Sequence, residues 1–425
     1  MRIALASLGC KTNQYEMDAL AEALRARGAE TVAPDQAADV YVLNTCTVTA
    51  EAERKARQML RRFRRQHPEA RIVACGCYAQ QKDLSALADL TVGTALRDRL
   101  PDLILDGTDG RFVGPVPRVY EELGAPAVPE ETRAFLKIQD GCDRRCAYCA
   151  IGIARGPARS RDLEAIAREA RALARRGYRE MVLTGTNLNQ YDRGDGLISA
   201  IEVVDQIDGV ERIRLGSLNS ATITPAFAER LTRVEHLCPS FHLSLQSGSD
   251  HMLRAMGRPD TRAGYRAAVE RLRRAFPDAG ITTDVIVGFP GETDDDFQQT
   301  VEFCERIAFL RMHVFRYSRR PGTRAASLGS EVPKAVVHRR SEQLRRLADR
   351  LAAEAIERRM GAVREVLIET YDDRGRPQGY TPEYLFVKLD ATSPAPDVGA
   401  IVRVRLVGRD GEIALGEWVD GPECE

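Results

Sequence analysis

The stretch DGCDRRCAYCAIGIARG, residues 140–156, contains three cysteines, Cys142, Cys146 and Cys149, within eight residues. A structural zinc site takes four ligands, typically from two CxxC pairs, yet no further cysteine or histidine follows for about 80 residues. A cubane iron–sulfur cluster held by three thiolates leaves one iron free to bind a substrate. The CxxxCxxC spacing therefore favours such a cluster, with a zinc site or buried cysteines as the alternative.

Strand and helix patterns alternate around this segment. Between residues 134 and 330, helical patterns follow the apolar runs FLKIQ, EMVLTG, RIRLGS, FHLSL, ITTDVIVG and RMHVFRY. Six strands with helical connections predict a partial or complete parallel barrel, whose functional groups lie at the carboxyl ends of the strands. The three cysteines follow the first strand, which is where such a barrel has its site.

The rest of the chain predicts two further domains. In residues 1–117 the runs IALASL, VYVLNT and RIVACG alternate with helices, which predicts a Rossmann-like α/β domain with a small parallel sheet. Residues 118–133 are rich in Pro, Glu and Ala and resemble a linker, and residues 331–360 predict a connecting helix. Residues 361–425 change to period-2 strands joined by turns, which predicts a small antiparallel β-barrel.

Composition limits the location and the partners of the protein. The 62 basic residues equal the 62 acidic ones, so net charge neither favours nor excludes an acidic partner. No run approaches the roughly 18 apolar residues of a membrane span, and the first apolar run is too short for an export signal. We therefore expect a cytoplasmic protein, in which disulfides are rare and ten cysteines indicate metal binding.

A second group of cysteines lies before the barrel. Cys10, Cys46, Cys75 and Cys77 each follow an apolar run at the carboxyl end of a predicted strand. The ends of parallel strands meet at one edge of a sheet, so these thiols could converge there. They predict a second cluster, although free cysteines also occur as small core residues.

The CxxxCxxC motif, with Tyr148 before its last cysteine, resembles the radical S-adenosylmethionine enzymes. In that family three such cysteines hold a catalytic 4Fe-4S cluster, and its open iron binds the methionine moiety of S-adenosylmethionine. Four later segments also match the family: TGTN at 184–187, LSLQSGS at 243–249, MGRPDT at 256–261 and IVGFPGE at 286–292. Together with the end of the third strand, the resemblance implies cofactor contacts by Tyr148, Gly185, Thr186, Asn187, Ser217, Gln246, Arg258 and Val287.

The whole chain resembles the radical methylthiotransferases, which have an amino-terminal cluster domain, a radical barrel and a TRAM domain. This resemblance implies that Cys10, Cys46 and Cys77 hold an auxiliary 4Fe-4S cluster. Cys75 has no matched role, and Cys238, Cys304 and Cys424 match no motif. The resemblance further implies two molecules of S-adenosylmethionine per product and an external electron donor. One molecule methylates a sulfur on the auxiliary cluster, and the other generates the substrate radical.

Three segments, IQDGC from residue 138, ITTDVIVGFPGE at 281–292 and FRYSRRPGT at 315–323, resemble the branch that modifies N6-threonylcarbamoyladenosine at position 37 of tRNA. The same chemistry on isopentenyladenosine-37 or on an aspartate of a ribosomal protein is the alternative. A non-catalytic zinc-containing RNA-binding protein is an alternative of another class.

Basic residues favour RNA contact, although a solvated surface would have the same pattern. One helix is predicted to direct outward Arg54, Lys55, Arg57, Arg61, Arg62, Arg64 and Arg65. The carboxyl-terminal barrel carries Arg364, Arg374, Arg376, Lys388, Arg403, Arg405 and Arg409.

Two residues depart from the family pattern. Gly152 replaces the usual proline after the radical cysteines, which predicts a more mobile loop. Asn219 replaces a glutamate, which removes a negative charge from the expected cofactor or substrate wall.

Overall fold

The computed structural model describes residues 1–124, 132–390 and 395–419. Most of the second half of the predicted linker, and Cys424, lie outside the described residues. The amino-terminal region forms a six-stranded parallel sheet with the order β2-β1-β3-β4-β5-β6. Its elements are β1 (Arg2–Ser7), α1 (Lys11–Arg25), β2 (Glu30–Val32), β3 (Val40–Thr45), α2 (Ala50–Gln66), β4 (Arg71–Gly76), α3 (Cys77–Gln81), β5 (Leu90–Val92), α4 (Leu100–Leu105) and β6 (Gly110–Phe112).

Apolar helix faces cover both sides of this sheet. Leu20 and Leu24 of α1 pack on one side together with Leu103 of α4, and Leu60 and Phe63 of α2 pack on the other. A parallel sheet buried on both faces requires near-continuous apolar strands, and β3 is buried along its whole length. The predicted α/β architecture is confirmed.

The central region is a partial barrel of six parallel strands. Strands β7, β9 and β10 pair in one half and β11, β12 and β13 in the other, while isolated bridges such as Leu218 to Leu243 join the halves. The strands are β7 (Arg133–Asp140), β8 (Arg159–Ser160), β9 (Glu180–Gly185), β10 (Arg212–Leu215), β11 (Ser240–His242), β12 (Gly280–Val287) and β13 (Arg311–Arg316). All six predicted strands are present, and β8 adds a short antiparallel partner for β7.

The helices of the central region pack around the barrel. Apolar side chains of α6, including Ile166, Ala170 and Leu173, are fully buried against the strands, as their spacing predicts. The side chain of Asp162 caps α6 by accepting from the backbone N–H of Glu164. The helices are α5 (Ile151–Arg155), α6 (Leu163–Arg175), α7 (Leu197–Asp205), α8 (Pro225–Leu231), α9 (Asp250–Ala255), α10 (Arg262–Ala275), α11 (Asp294–Ile307) and α12 (Lys334–Glu357).

The carboxyl-terminal region is a closed five-stranded barrel. One pairing differs from the predicted antiparallel pattern: β16 and β18 run parallel. β17 and β18 form an antiparallel hairpin. When the barrel closes, β18 lies beside β16 and runs in the same direction as β16. The strands are β14 (Val363–Tyr371), β15 (Pro377–Tyr380), β16 (Phe386–Leu389), β17 (Ile401–Asp410) and β18 (Ile413–Trp418). In the described part of the chain, no helix combines the length and apolar character that crossing a bilayer requires.

Candidate active site

The loop set of thiols, Cys142, Cys146 and Cys149, lies just beyond the carboxyl end of β7. The backbone N–H of Cys142 donates to the carbonyl of Gly156 (3.0 Å), and that of Cys149 donates to Cys146 (3.1 Å). The Sγ of Cys149 accepts from the backbone N–H of Ile151 at 3.5 Å. These bonds fold the loop back onto α5 and bring the three sulfur atoms close enough to influence one another electrostatically.

The sheet-edge set of thiols, Cys10, Cys46 and Cys77, follows three neighbouring strands, β1, β3 and β4. The Oδ1 of Asn13 lies 3.9 Å from the Sγ of both Cys10 and Cys77. A Cβ added to Gly9 would lie 2.9 Å from the Sγ of Cys46, so this position accepts only glycine. These three thiols therefore lie near one another, whereas Cys75, which the strand-end pattern also included, packs in an apolar cluster.

The remaining described cysteines lie elsewhere. Cys75 packs in an apolar cluster with Val73 and Leu90. Cys238 and Cys304 are fully buried within the barrel region. None of these three belongs to either converging set.

Each set offers three thiols, which is the number of thiolates that hold a cubane iron–sulfur cluster with one open iron. Among the described residues no three His, Cys, Asp or Glu side chains are grouped closely enough to hold one ion. A cubane is larger than one ion, so its three thiolate ligands stand farther apart. Burial raises the pKa of Cys77 and Cys149 to about 12 each, so loading a cluster must displace protons from these thiols.

A buried network of charges joins the two sets. Glu16 of α1 contacts Lys137 (2.8 Å) and Arg155 (2.7 Å), and Asp140 contacts the same two cations at 2.8 and 2.9 Å. Burial opposes the ionisation of both carboxyls, but Arg155, Arg97 and Lys137 hold the pKa of Glu16 and of Asp140 below the usual carboxyl range. Both acids are therefore charged at neutral pH.

Arg155 connects the network directly to the sheet-edge set. Its Nε donates to the Sγ of Cys77 at 3.2 Å, and its Nη2 donates to the Oδ1 of Asn13 at 2.7 Å. The side chain is 1% exposed. Arg159 and Arg161, which follow on the same basic segment, are also buried and form ion pairs. Arg155 therefore links the barrel to the amino-terminal domain, whereas Arg159 pairs with Asp140 and Arg161 with Glu169, both within the barrel.

The segment after β9 lies beside the loop set. Asn187 donates from Nδ2 to the Sγ of Cys142 at 3.3 Å, and its backbone N–H donates to the Oε1 of Gln139 at 2.7 Å. The hydroxyl of Thr186 donates to Asp140 at 3.0 Å. The predicted cofactor residues Thr186 and Asn187 are therefore held against the cysteine loop.

Arg258 and Tyr148 form a second group of predicted cofactor residues. The Nη2 of Arg258 donates to the carbonyl of Ser244 (2.7 Å) and to the Oδ1 of Asn219 (3.3 Å). Burial raises the pKa of the Tyr148 phenol, which lies beside Arg258 and Cys146. Asn219, the departure from the family pattern, therefore takes part in this polar group as a neutral partner.

The other departure, Gly152, lies within α5. A Cβ at this position would lie 3.3 Å from the carbonyl oxygen of Cys142. The mobility expected from this glycine stays a prediction.

Two cavities open beside these groups. The larger, the interdomain cavity of about 370 Å³, is lined by Cys10, Lys11, Gly185, Ser217, Arg311 and Tyr384 among others. The smaller, about 180 Å³, is lined by Thr49, Tyr148, Gln246 and Ile286 among others. Both cavities lie between the amino-terminal domain and the barrel, so residues of both domains face the same space.

Val287 differs from the other predicted cofactor residues. Its side chain is 1% exposed and packs in the barrel core, whereas the preceding Ile286 faces the smaller cavity. Side chains alternate between the two faces of a strand, so the neighbour of Val287 carries the accessible side chain. Gln246, by contrast, lines that cavity with a positive φ of 72°.

Lys11, Arg214 and Tyr384 are among the residues of the interdomain cavity that sequence reasoning missed. Arg214 lies within a strand, and Tyr384 belongs to the carboxyl-terminal barrel. The φ of Tyr384 is +76°, which is uncommon for an aromatic residue and occurs where the surroundings impose it. Lys11 directly follows Cys10, and its position beside a cysteine at a strand end was the available signal.

Some basic side chains that were predicted to face outward form ion pairs with acidic residues, and others are exposed. On α2 the side chains of Arg61 and Arg65 are exposed, whereas Arg64 pairs with Asp89 at 2.6 Å. In the carboxyl-terminal barrel, Arg364 pairs with Asp278 at 2.7 Å. Further barrel arginines with acidic partners are Arg376 and Arg409.

Known proteins resemble the chain over its whole length. The Radical SAM superfamily matches residues 136–304, and the Uncharacterized protein family UPF0004 matches residues 2–94. The threonylcarbamoyladenosine tRNA methylthiotransferase MtaB of Thermotoga maritima is 37% identical, with 99% of this chain and 98% of the relative covered. MtaB of Bacillus subtilis is also 37% identical, covering 100% and 97%.

More distant matches include a second type of enzyme. The tRNA-2-methylthio-N(6)-dimethylallyladenosine synthase of Opitutus terrae is 33% identical, covering 98% of this chain and 97% of the relative. Among solved structures, the radical S-adenosylmethionine methyltransferase TsrM of Kitasatospora setae has a TM-score of 0.58 at 13% identity, covering 88% of this chain and 86% of that one. The structural likeness shows a shared fold, and the sequence matches show that this chain belongs to the radical S-adenosylmethionine methylthiotransferase family.

Proposed function

We propose that this protein adds a methylthio group to C2 of N6-threonylcarbamoyladenosine at position 37 of tRNA. The observation that carries the proposal is a cavity that the region of the sheet-edge set shares with the strand ends of the barrel. Cys10 lines the interdomain cavity from one side, and Gly185 and Ser217, at the barrel strand ends, line it from the other. Gly185 is followed closely by Asn187, which contacts Cys142, so the loop set lies near the same strand end, and such positioning is the main requirement for the reaction.

The chain supplies the binding and orienting groups. Cys142, Cys146 and Cys149 would hold the radical cluster, and the sheet-edge set would hold the auxiliary cluster. When bound, the two 4Fe-4S clusters and S-adenosylmethionine supply the electron, the 5′-deoxyadenosyl radical and the methylated sulfur.

Contacts around these thiols explain how the site is held. Asn187 orients Cys142 through its side-chain amide, and Arg155 donates to Cys77 from inside the protein. The predicted contacts of S-adenosylmethionine with Tyr148, Gln246 and Arg258 are part of the proposal, supported by the position of the first two at the smaller cavity. Close packing of Gly185 against Gln139, where a Cβ would lie 2.9 Å from the carbonyl oxygen, keeps this strand end narrow.

We further infer a division into an auxiliary-cluster domain (1–117), a linker (118–133), a radical barrel (134–330), a connecting helix (331–360) and a TRAM domain (361–425). Exposed Arg61 and Arg65 on α2 support contact of the first domain with tRNA phosphates. A cytoplasmic location and an external electron donor follow from tRNA as the substrate and from reduced thiols.

A reaction with defined tRNAs tests the proposal. Anaerobically purified protein with about eight irons per chain, as two cubanes require, is incubated with S-adenosylmethionine, a reductant and tRNA. One tRNA carries threonylcarbamoyladenosine-37 and a matched one carries dimethylallyladenosine-37. Mass spectrometry of nucleosides is expected to find the methylthio product of the first. Product only from the second tRNA would overturn the substrate assignment in favour of the activity named for the Opitutus relative.

Zinc analysis of the same preparation tests the non-catalytic alternative. Zinc without iron in the purified protein would contradict an enzyme with clusters.

A further inference from the structure

The interdomain cavity has an unbalanced positive lining. Three of its side chains, Lys11, Arg214 and Arg311, are basic, and no aspartate or glutamate among the described residues lines it. Arg214 already has partners, because its Nε contacts Glu180 at 2.6 Å and its Nη2 donates to the carbonyl of Thr381 at 2.8 Å. The excess positive charge therefore comes from the other two cations.

Lys11 has the least compensated charge of this lining. Its Nζ makes no hydrogen bond and no ion pair with any of the residues that the structure describes, and its nearest aromatic contact is the ring of Phe135 at 6.0 Å. Arg133 and Arg214 lie near enough to repel it, whereas Tyr384 and Glu180 lie near enough to attract it without an ion pair or hydrogen bond. Like charges around a cavity cost free energy unless an anion enters, so this arrangement fits a negatively charged ligand.

The proposed substrate has one group that meets this requirement. Threonylcarbamoyl carries a free carboxylate, whereas the dimethylallyl group that relatives of the other type act on is uncharged and apolar. Cys10 and the ends of β9 and β10 line the interdomain cavity, so under the proposed function we place the base at position 37 and its N6 substituent in this cavity. Resting on that proposed function, we propose that Lys11 binds the threonylcarbamoyl carboxylate and gives the enzyme its preference for this side chain.

A phosphate of the tRNA backbone offers the same anionic oxygen chemistry. The two sources differ in one respect, because every tRNA has the phosphates but only the modified tRNA has the carboxylate. The ratio of the affinities for two tRNAs that differ only at position 37 therefore isolates the carboxylate contact.

Equilibrium binding of cluster-loaded protein, without S-adenosylmethionine so that no turnover occurs, tests the inference. The ligands are one tRNA with threonylcarbamoyladenosine-37 and the same tRNA with unmodified adenosine-37. A hydrogen bond to a charged group corresponds to roughly tenfold or more in affinity. We expect the wild type to prefer the modified tRNA by about this factor, Lys11→Met to remove the preference, and Lys11→Arg to keep most of it.

Lys55→Met is the matched control. Lys55 is exposed on α2, outside the interdomain cavity. Its loss removes the same charge, so any effect on affinity should be equal for both tRNAs and the preference should stay. If Lys11→Met weakens the binding of both tRNAs equally, Lys11 contacts a phosphate and the inference is overturned. An unchanged preference for the modified tRNA would also overturn it.

A modified substrate tests the inference if the Lys11→Met protein loses its iron. Lys11 follows a cluster ligand, so iron content is measured in every preparation. If Lys11→Met loses iron, wild-type binding of an anticodon stem–loop with the methyl ester of threonylcarbamoyladenosine replaces it. Binding about tenfold weaker than that of the acid supports the inference, and equal binding overturns it.

Failure of the inference and failure of the proposed function have different signatures. An unchanged preference in Lys11→Met together with methylthiolation of the modified tRNA overturns only the role of Lys11. Wild-type protein that methylthiolates neither tRNA overturns the proposed function. Because binding is read without turnover, the role of Lys11 is decided separately in each case.

Discussion

The loop set and the sheet-edge set place three thiols together in opposite ways. Cys142, Cys146 and Cys149 come from eight consecutive residues of one loop, whereas Cys10, Cys46 and Cys77 come from the ends of three strands within the first 77 residues. The geometry of the first set is mostly local, because hydrogen bonds within residues 142–156 fold the loop. The second set exists only when the sheet has formed. A local motif can therefore be recognised by its spacing, while a dispersed site depends on the correct prediction of strand order.

The largest expected effect separates the roles of the two sets. Cys146→Ala should abolish reductive cleavage of S-adenosylmethionine, because the loop set then lacks a ligand. Cys46→Ala should retain cleavage but stop methylthiolation. Each variant should keep about four irons per chain, one cubane. The measurements are 5′-deoxyadenosine formation, methylthio-nucleoside formation and iron content.

Methylthiolation of tRNA by the Cys46 variant would contradict the separate roles predicted for the two sets. Cys75→Ala is the control, since this thiol packs in an apolar cluster and does not belong to the sheet-edge set. It should keep both activities and the full iron content.

A second prediction concerns the contact that joins the sets. Arg155 is buried between Glu16, Asp140 and Cys77. Arg155→Met leaves buried carboxylates with fewer cations, and breaking a buried ion pair typically costs about 3–5 kcal/mol of the free energy of unfolding. We expect a clearly lower urea midpoint for the loaded protein.

Arg233→Ala is the matched control for this prediction. Arg233 pairs with Glu229 at 2.6 Å, but both side chains are about 70% exposed, so the change should stay below about 1 kcal/mol. Equal midpoints for the Arg155 variant and the wild type would mean that the two sets are held together by other contacts.

The sequence predicted the elements of the fold well because each relies on a periodic local pattern. The six barrel strands, the amino-terminal parallel sheet and the apolar stripe of α6 follow from such patterns. The parallel pairing of β16 with β18 could not be predicted, because it depends on how the barrel closes.

The candidate site was predictable where residues belong to motifs and not where domains meet. The convergence of Cys10, Cys46 and Cys77 agrees with the expectation for parallel strand ends. Lys11 and Tyr384 were missed because contacts between separate domains have no periodic signal in the sequence. Val287 was chosen from its motif, and only the strand's alternation shows that Ile286 has the accessible side chain.

A substitution of Asn219, which lies near the loop set, is expected to have a smaller effect. Its amide donates to the Oδ1 of Asn187 at 3.2 Å and accepts from Arg258 at 3.3 Å. Asn187 and Arg258 are proposed to contact S-adenosylmethionine. Asn219→Ala removes one neutral and one charged hydrogen bond while other partners of both residues remain, so we expect about fivefold weaker cofactor binding. Equilibrium dialysis with S-adenosylmethionine measures this, and an unchanged affinity would separate Asn219 from the cofactor site.

The smallest expected effect compares the arginines of the two regions. Those after the loop set are buried and paired, whereas Arg61 on α2, the helix that follows Cys46, is exposed. If Arg61 contacts a tRNA phosphate, Arg61→Ala should reduce the slope of log affinity against log salt by about one. Arg64→Ala is the control on the same helix, because Arg64 is already bound to Asp89 at 2.6 Å and should leave the slope unchanged. Equal slopes for the wild type and both variants would mean that the exposed arginines of α2 are solvated, and that the sheet-edge region contributes its cluster but not this face to tRNA binding.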